Sequence, residues 1–189
     1  MSTSDTDSSA AKAVARAEAR ARRRSGDRPD PHLLADQAVG HLETLPGPRR
    51  VTCYASYGTE PDTTEMRRRL SAAGYEVLLP RVDGEHLEWV VDSPDTTVSS
   101  MGIAEPTGAA VDLLPLRAML IPALAVTSEG DRLGKGGGYY DRVLAGLRDV
   151  PIIAIIGDAD VVDRIPTQPH DMRVHAIVTP TRAITCVAR

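Results

Sequence analysis

The chain has 189 residues, 42% of them hydrophobic, and a formal net charge of −4. That length suits one domain with a real core, and the mild acidity gives no general attraction for nucleic acid. A polar, acidic start and a longest apolar run (Ala118 to Val126) broken by Pro122 exclude a secretory leader and a membrane span, so a cytoplasmic protein is expected.

In chain order, residues 1–9 predict a disordered tail and residues 10–189 the domain. Ala10 to Arg24 is Ala- and Arg-rich, a strong helix former with Val14 as its one large apolar residue. Lys12, Arg16, Arg20, Arg22, Arg23, Arg24 and Arg28 crowd this region against only Glu18 and Asp27. Three readings stay open: a solvated helix face, an RNA-binding arm, or a cationic helix that closes over phosphates. Lys12 and Arg16 share one face because they are four apart. Ser25 to Pro31 is a break, and His32 to Leu45 a second helix by its apolar spacing. Arg50 to Ala55 predicts a strand, Asp62 to Ala73 a helix stopped by Gly74, and Glu76 to Leu79 a strand ended by Pro80. Strand, helix, strand makes a parallel βαβ unit, which places ligands at the carboxyl ends of its strands. The turn Tyr54 to Thr63 sits at such an end. Asp62 or Thr63 can cap the helix there, and Glu60 can favour its dipole.

Leu87 to Val91 predicts a hairpin strand. Met119 to Val126 is a buried apolar strand, and Pro151 to Ile156 is a branched run suited to burial on both faces. Val174 to Val178 and Ile184 to Val187 are the last strands. With no Phe, one Trp and five Tyr, the core must be aliphatic. Cys53 and Cys186 stand alone in apolar contexts, as buried reduced thiols rather than a disulfide or zinc site. His170 invites a general-base role, although a turn role is the simpler one.

The most informative stretch follows the central strand. Thr127 to Asp131 is a polar turn. Arg132-Leu133-Gly134-Lys135-Gly136-Gly137-Gly138 then leads into Tyr139-Tyr140-Asp141-Arg142 and a helical pattern. Glycines let backbone approach an anion closely, and Arg132, Lys135 and Arg142 add positive charge. Asp141 offers the hard oxygen that Mg²⁺ takes beside nucleotide phosphates. A Walker A loop is excluded, since Glu129 and Gly136 stand where Gly and Ser or Thr are needed. A dinucleotide fingerprint fails where its third glycine falls on Tyr139.

The string RLGKGGGYYDR, Arg132 to Arg142, resembles the signature of the 5-formyltetrahydrofolate cyclo-ligase family, roughly PGxAFDxxGxRLGxGxGYYDR. Tyr54, Ser56, Glu60 and Thr63 are similar to its YxSxxxExxT string. Leu79 to Val82 resembles its LPxV step, Gly102 to Pro106 its GIxEP turn, and the stretch ending in Asp171 its closing string. The resemblance spans roughly residues 12 to 180. Departures are Ala123 for Gly, Val126-Thr127 for Phe-Asp, and Gly157 and Asp160 where Phe and Gln are usual.

The resemblance implies one three-layer α/β/α domain with a mostly parallel sheet, similar to the ribose-5-phosphate isomerase and CoA-transferase group. It implies ATP- and Mg²⁺-dependent cyclisation of 5-formyltetrahydrofolate to 5,10-methenyltetrahydrofolate through a phosphorylated N-formyl group. Arg132 and Lys135 are then catalytic. ATP is bound by Lys12, Arg16, Arg132, Leu133, Gly134, Lys135, Gly136, Gly137, Gly138, Tyr139 and Tyr140. The folate is bound by Ala55, Glu60, Lys135, Gly136, Gly137, Gly138 and Tyr139, and the metal by Asp141 and Asp171. A monomer with no nucleic-acid or membrane partner is expected. Two alternatives are a non-catalytic folate- or nucleotide-binding homologue and an RNA-binding protein using the basic helix.

Overall fold

The computed structural model describes residues 3–98, 102, 104–168 and 171–187. Pro169 and His170, with the turn role expected for them, lie outside the described residues, as does Ile103. In chain order the elements are α1 (Thr3–Ser25), α2 (Pro31–Glu43), β1 (Arg50–Thr52), α3 (Thr64–Ala72), β2 (Glu76–Asp83), β3 (His86–Val91), β4 (Thr96–Val98) and β5 (Ala104–Pro106). Then come β6 (Ala118–Pro122), β7 (Ala125–Val126), β8 (Arg132–Leu133), α4 (Tyr139–Ala145), β9 (Ile152–Ile155), β10 (Ala176–Val178) and β11 (Ala183–Thr185).

Seven strands form the main sheet in the order β11-β10-β9-β6-β1-β2-β3. The pairs from β10 through β2 are parallel, and antiparallel β11 and β3 close the two edges. This is the expected mostly parallel α/β sheet. Side chains alternate across β6. Ala118 and Leu120 join Leu34, Leu42, Met66 and Leu70 of α2 and α3 on one face. Met119 and Ile121 join Trp89, Ile152, Ile177 and Leu144 of α4 on the other. Period-two alternation therefore feeds two aliphatic layers from one strand.

Four of the differences from the local expectations have a visible physical cause. First, α1 begins at Thr3, so residues 3–9 are helical rather than part of a disordered tail. A helix nucleated in the Ala-rich stretch propagates at little cost per added residue. Second, α2 starts one residue early because Asp30 caps it. Its Oδ1 accepts from the N–H groups of His32 (2.8 Å) and Leu33 (3.2 Å), with Pro31 in the first turn.

Third, β2 runs through Pro80 to Asp83 instead of stopping. Asp92 N–H donates to Val77 O at 2.8 Å, which makes the odd-numbered residues of β2 the hydrogen-bonded ones. Pro80, opposite Trp89, then falls at a non-bonded position and needs no N–H. Fourth, the run Met119 to Val126 is two strands. After Pro122 the chain leaves the sheet, and β7 pairs with β8 as a small hairpin around the 127–131 turn. Gly130 in that turn has φ +90°, and a Cβ there would lie 2.3 Å from Val174 O.

Candidate functional site

A cavity of about 550 Å³ opens at the carboxyl ends of β1, β2 and β6. Tyr54 and Ala55 follow β1, Pro80 and Val82 belong to β2, and Pro122 ends β6; all reach its wall. The β7–β8 hairpin delivers the glycine loop, Gly134 to Gly138, to the same place. Gly136 and Gly138 have φ of +105° and +69°, which side-chain-bearing residues rarely adopt. The loop is also backed by cations. A Cβ on Gly136 would meet Arg16 Cζ at 3.3 Å, and one on Gly138 would meet Arg142 Nη1 at 2.8 Å.

Charges at the cavity are paired across elements. Lys135 Nζ lies 2.7 Å from Glu60 Oε1 and 3.4 Å from the centre of the Tyr57 ring. Glu60 is buried, and its Oε2 accepts the Tyr57 N–H at 2.9 Å. Arg132, with its side chain 4% exposed, pairs with Oδ1 of Asp141. Burial pushes the Tyr54 and Tyr140 phenols well above their usual range, with Glu60 adding to the effect on both, so both remain protonated donors. Tyr139 Oη donates to Gly84 O at 3.4 Å, and Arg142 Nε to Glu85 O at 2.8 Å, fastening the loop to the β2–β3 turn.

α1 roofs the hairpin rather than floating free. Ala15 and Ala19 pack on Leu124, Ala125 and Leu133, whereas Val14 is exposed. Arg16 Nε donates to Gly134 O at 3.0 Å, and Arg20 Nη2 to Lys135 O at 3.3 Å. At the far end Asp160, 5% exposed, accepts from Arg22 and Arg23. The departure at Asp160 thus holds the helix, and the Arg22–Arg23 pair is not a solvated face. Arg20 and Arg24 reach the cavity.

Of the expected site residues, Ala55, Glu60, Arg132, Gly134, Lys135, Gly136, Gly137, Gly138, Tyr139, Tyr140 and Asp141 meet at the cavity wall. Leu133 lies beneath α1 in its apolar contact. Lys12 and Arg16 stand behind the loop instead of at the wall. Lys12 Nζ is 2.6 Å from each oxygen of Asp171 and 2.9 Å from Gln168 Oε1. Sequence reasoning missed Tyr57, whose backbone and ring hold Glu60 and Lys135, and the cavity arginines. A hint was present in Tyr57, three residues before Glu60.

Of the two residues expected to hold the metal, only Asp141 lines the cavity. Asp171 is not part of the cavity wall, and Lys12 and the Gln168 N–H (2.6 Å) take its oxygens. Among the described residues no three His, Cys, Asp or Glu side chains cluster. Asp141 alone, with Arg132 on one oxygen, fits the single-carboxylate mode in which Mg²⁺ relies on substrate phosphates. Thr127 carries no carboxylate; its hydroxyl accepts the Asp131 N–H at 3.1 Å and holds the turn.

An open, largely parallel sheet with a cavity at its strand ends and a glycine loop beside paired charges is an α/β architecture with a ligand-sized site at its strand ends. No helix among the described residues is long and apolar enough to cross a membrane. The chain belongs to the 5-formyltetrahydrofolate cyclo-ligase family, which matches residues 8–180. It is 33% identical over 150 residues to the 5-formyltetrahydrofolate cyclo-ligase of Mycolicibacterium smegmatis, covering 74% of this chain and 77% of that one. Its identity to the Escherichia coli K12 enzyme of the same name is 28% over 162 residues, covering 79% and 89%. The NMR structure of Aquifex aeolicus 5,10-methenyltetrahydrofolate synthetase matches with a TM-score of 0.75 at 25% identity, over 92% of each chain. A 5,10-methenyltetrahydrofolate synthetase from Mycoplasma pneumoniae shares the fold, with a TM-score of 0.71 at 19% identity over 88% of this chain and 97% of that one.

Proposed function

We propose that this protein closes 5-formyltetrahydrofolate to 5,10-methenyltetrahydrofolate with ATP, releasing ADP and phosphate. The formyl oxygen is a poor leaving group. Transfer of the γ-phosphoryl group forms a bond from phosphorus to that oxygen and breaks the bond to ADP. N10 then attacks the formyl carbon and loses its proton, and the carbon–oxygen bond breaks as phosphate leaves. Such transfers depend mainly on positioning and charge neutralisation.

The observation that carries this reading is the Lys135–Glu60 pair beside the glycine loop, 2.7 Å apart at the cavity wall. Glu60 and the Tyr57 ring fix the ammonium where the formyl oxygen and the transferred group gain negative charge. Arg132 supplies a second, buried cation, and the Gly136 and Gly138 conformations admit phosphate oxygens close to the backbone. Arg16 spends Nε on Gly134 O, which leaves its terminal nitrogens for phosphate. Lys12 is committed to Asp171 and Gln168 and braces α1. Mg²⁺ at Asp141 would neutralise phosphate charge when bound. Tyr139 and Tyr140 flank the apolar wall that a flat pterin requires.

The test is one assay with protein, 5-formyltetrahydrofolate, ATP and Mg²⁺, omitting each in turn and following the ultraviolet absorbance of the methenyl product. Product that needs all four components supports the reading. A binding-only homologue is the second reading, motivated by Thr127 in place of a carboxylate. Folate and ATP binding without product would select it.

A further inference from the structure

The carboxylates around the site, buried Glu60 and Asp160 and the part-exposed Asp141, have cations, with one exception. Glu60 has Lys135, Asp141 has Arg132, and Asp160 has Arg22 and Arg23. Glu105, at the centre of β5, is 8% exposed and lines the same cavity. Among the described residues its carboxylate has neither an ion-pair nor a hydrogen-bond partner. Arg81, the cation that braces this ribbon, donates to Pro106 O (3.3 Å) and Gly108 O (2.8 Å) and gives its charge to Glu88. A carboxylate in a cavity wall with no protein donor leaves its oxygens to whatever fills the cavity, so a ligand that supplies donors can meet it.

This inference rests on the folate reading above. We propose that Glu105 reads the pterin edge of the substrate, accepting from its 2-amino group and its N3–H. Those two adjacent donors match the two oxygens of one carboxylate. Glu60, the residue expected for folate contact, already accepts from Lys135 on Oε1 and from the Tyr57 N–H on Oε2, so neither of its oxygens lacks a protein donor as those of Glu105 do. Adenine presents one donor beside one acceptor and cannot satisfy both oxygens of Glu105. The carboxylate therefore sorts the two substrates, admitting the pterin here and leaving the nucleotide to the glycine loop. Glu105 sits on a β-ribbon, paired opposite Thr97.

The test compares 5-formyltetrahydrofolate with its 2-desamino-2-methyl analogue by calorimetry, in the unaltered protein, Glu105→Ala and Glu105→Gln. The unaltered protein is expected to bind the parent about 10- to 100-fold tighter than the analogue, the range for hydrogen bonds to a charged group. Glu105→Ala should bind both alike, Glu105→Gln should fall between, and ATP affinity should hold in all three. A merely structural role would weaken both folates together, and that result overturns the assignment. So does an unaltered protein that does not distinguish the two. Should Glu105→Ala fail to fold, the intermediate preference of Glu105→Gln decides the matter, and an undiminished preference there counts against the proposal. Absence of any folate binding by the unaltered protein would remove the function reading itself, and this assignment with it.

Discussion

Lys135 and Glu60 act as a unit, because each fixes the other beside Tyr57. Lys135→Ala is expected to lower kcat by about 10²- to 10³-fold, the usual loss for a donor aimed at developing charge. Glu60→Gln should lose less, and the double variant should be no worse than Lys135→Ala alone. Steady-state rates on the three variants check this; additive losses would mean that the two side chains serve separately. Asp141→Asn keeps an acceptor for Arg132 but removes charge, so turnover should fall and the Mg²⁺ concentration for half-activity should rise. A Mg²⁺ titration at fixed ATP gives the answer, and an unchanged midpoint would detach the metal from this residue. The loop residues were legible from sequence because glycine spacing and its flanking charges are local signals. Glu105 and Asp160 were not, since a lone acidic residue in a turn says nothing about whether a cation will reach it from afar.

α1 shows how an element can be right in kind and wrong in attachment. Its composition predicts a helix with one large apolar residue, and a solvated cationic face is one of the readings that this leaves open. The structure instead seats Ala15 and Ala19 on the β7–β8 hairpin and holds the end with Arg22 and Arg23 on Asp160. Small side chains let the helix come close, and buried ion pairs take over the role of apolar area. Arg23 and Asp160 are 6% and 5% exposed, and breaking such a pair by removing one partner costs about 3–5 kcal/mol. Asp160→Ala should therefore speed hydrogen exchange of α1 amides by about 10²-fold or more while the sheet stays protected. Equal protection of α1 in both proteins would show that the alanine contact suffices. Deleting residues 1–25 would bare Leu124 and Leu133, so poorer solubility should accompany the loss of activity. Pro80 in mid-strand gives the complementary lesson. Proline ends a strand only where its N–H would have been used, and that depends on a register no single segment reveals.

At the scale of the whole molecule, stability should form a plateau between acidic and alkaline limbs. Burial pushes the Cys53 thiol up to about 12 and that of Cys186 up to about 11, and it also raises Tyr75. The unfolded thiols lose protons near pH ~8.5, so above that pH the unfolded state gains and stability falls until the folded values are reached. On the other side, burial lowers His41, and the Thr64 N–H on its carboxylate lowers Asp62. Both unfolded groups then take protons first, near pH ~6.5 for histidine and ~3.9 for aspartate, and stability declines as pH drops through and below these values. Denaturant midpoints measured across pH should be highest between about 6.5 and 8.5. A midpoint still climbing from pH 9 to 10 would contradict the burial of these thiols. The sheet and its two aliphatic layers were legible from the pattern of apolar runs. The cavity was not, because it is made where six separate segments meet.

The pairing of Trp89 with Pro80 has a practical result in spectroscopy. This is the single tryptophan of a chain without phenylalanine, 5% exposed, across one strand from residues that form the cavity wall. Its emission comes from one environment, and Tyr54, Tyr57, Tyr139 and Tyr140 stand at the cavity as potential donors of excitation energy to it. A ligand filling the cavity should change both the tryptophan emission and the transfer from tyrosine, so occupancy can be followed with no label attached.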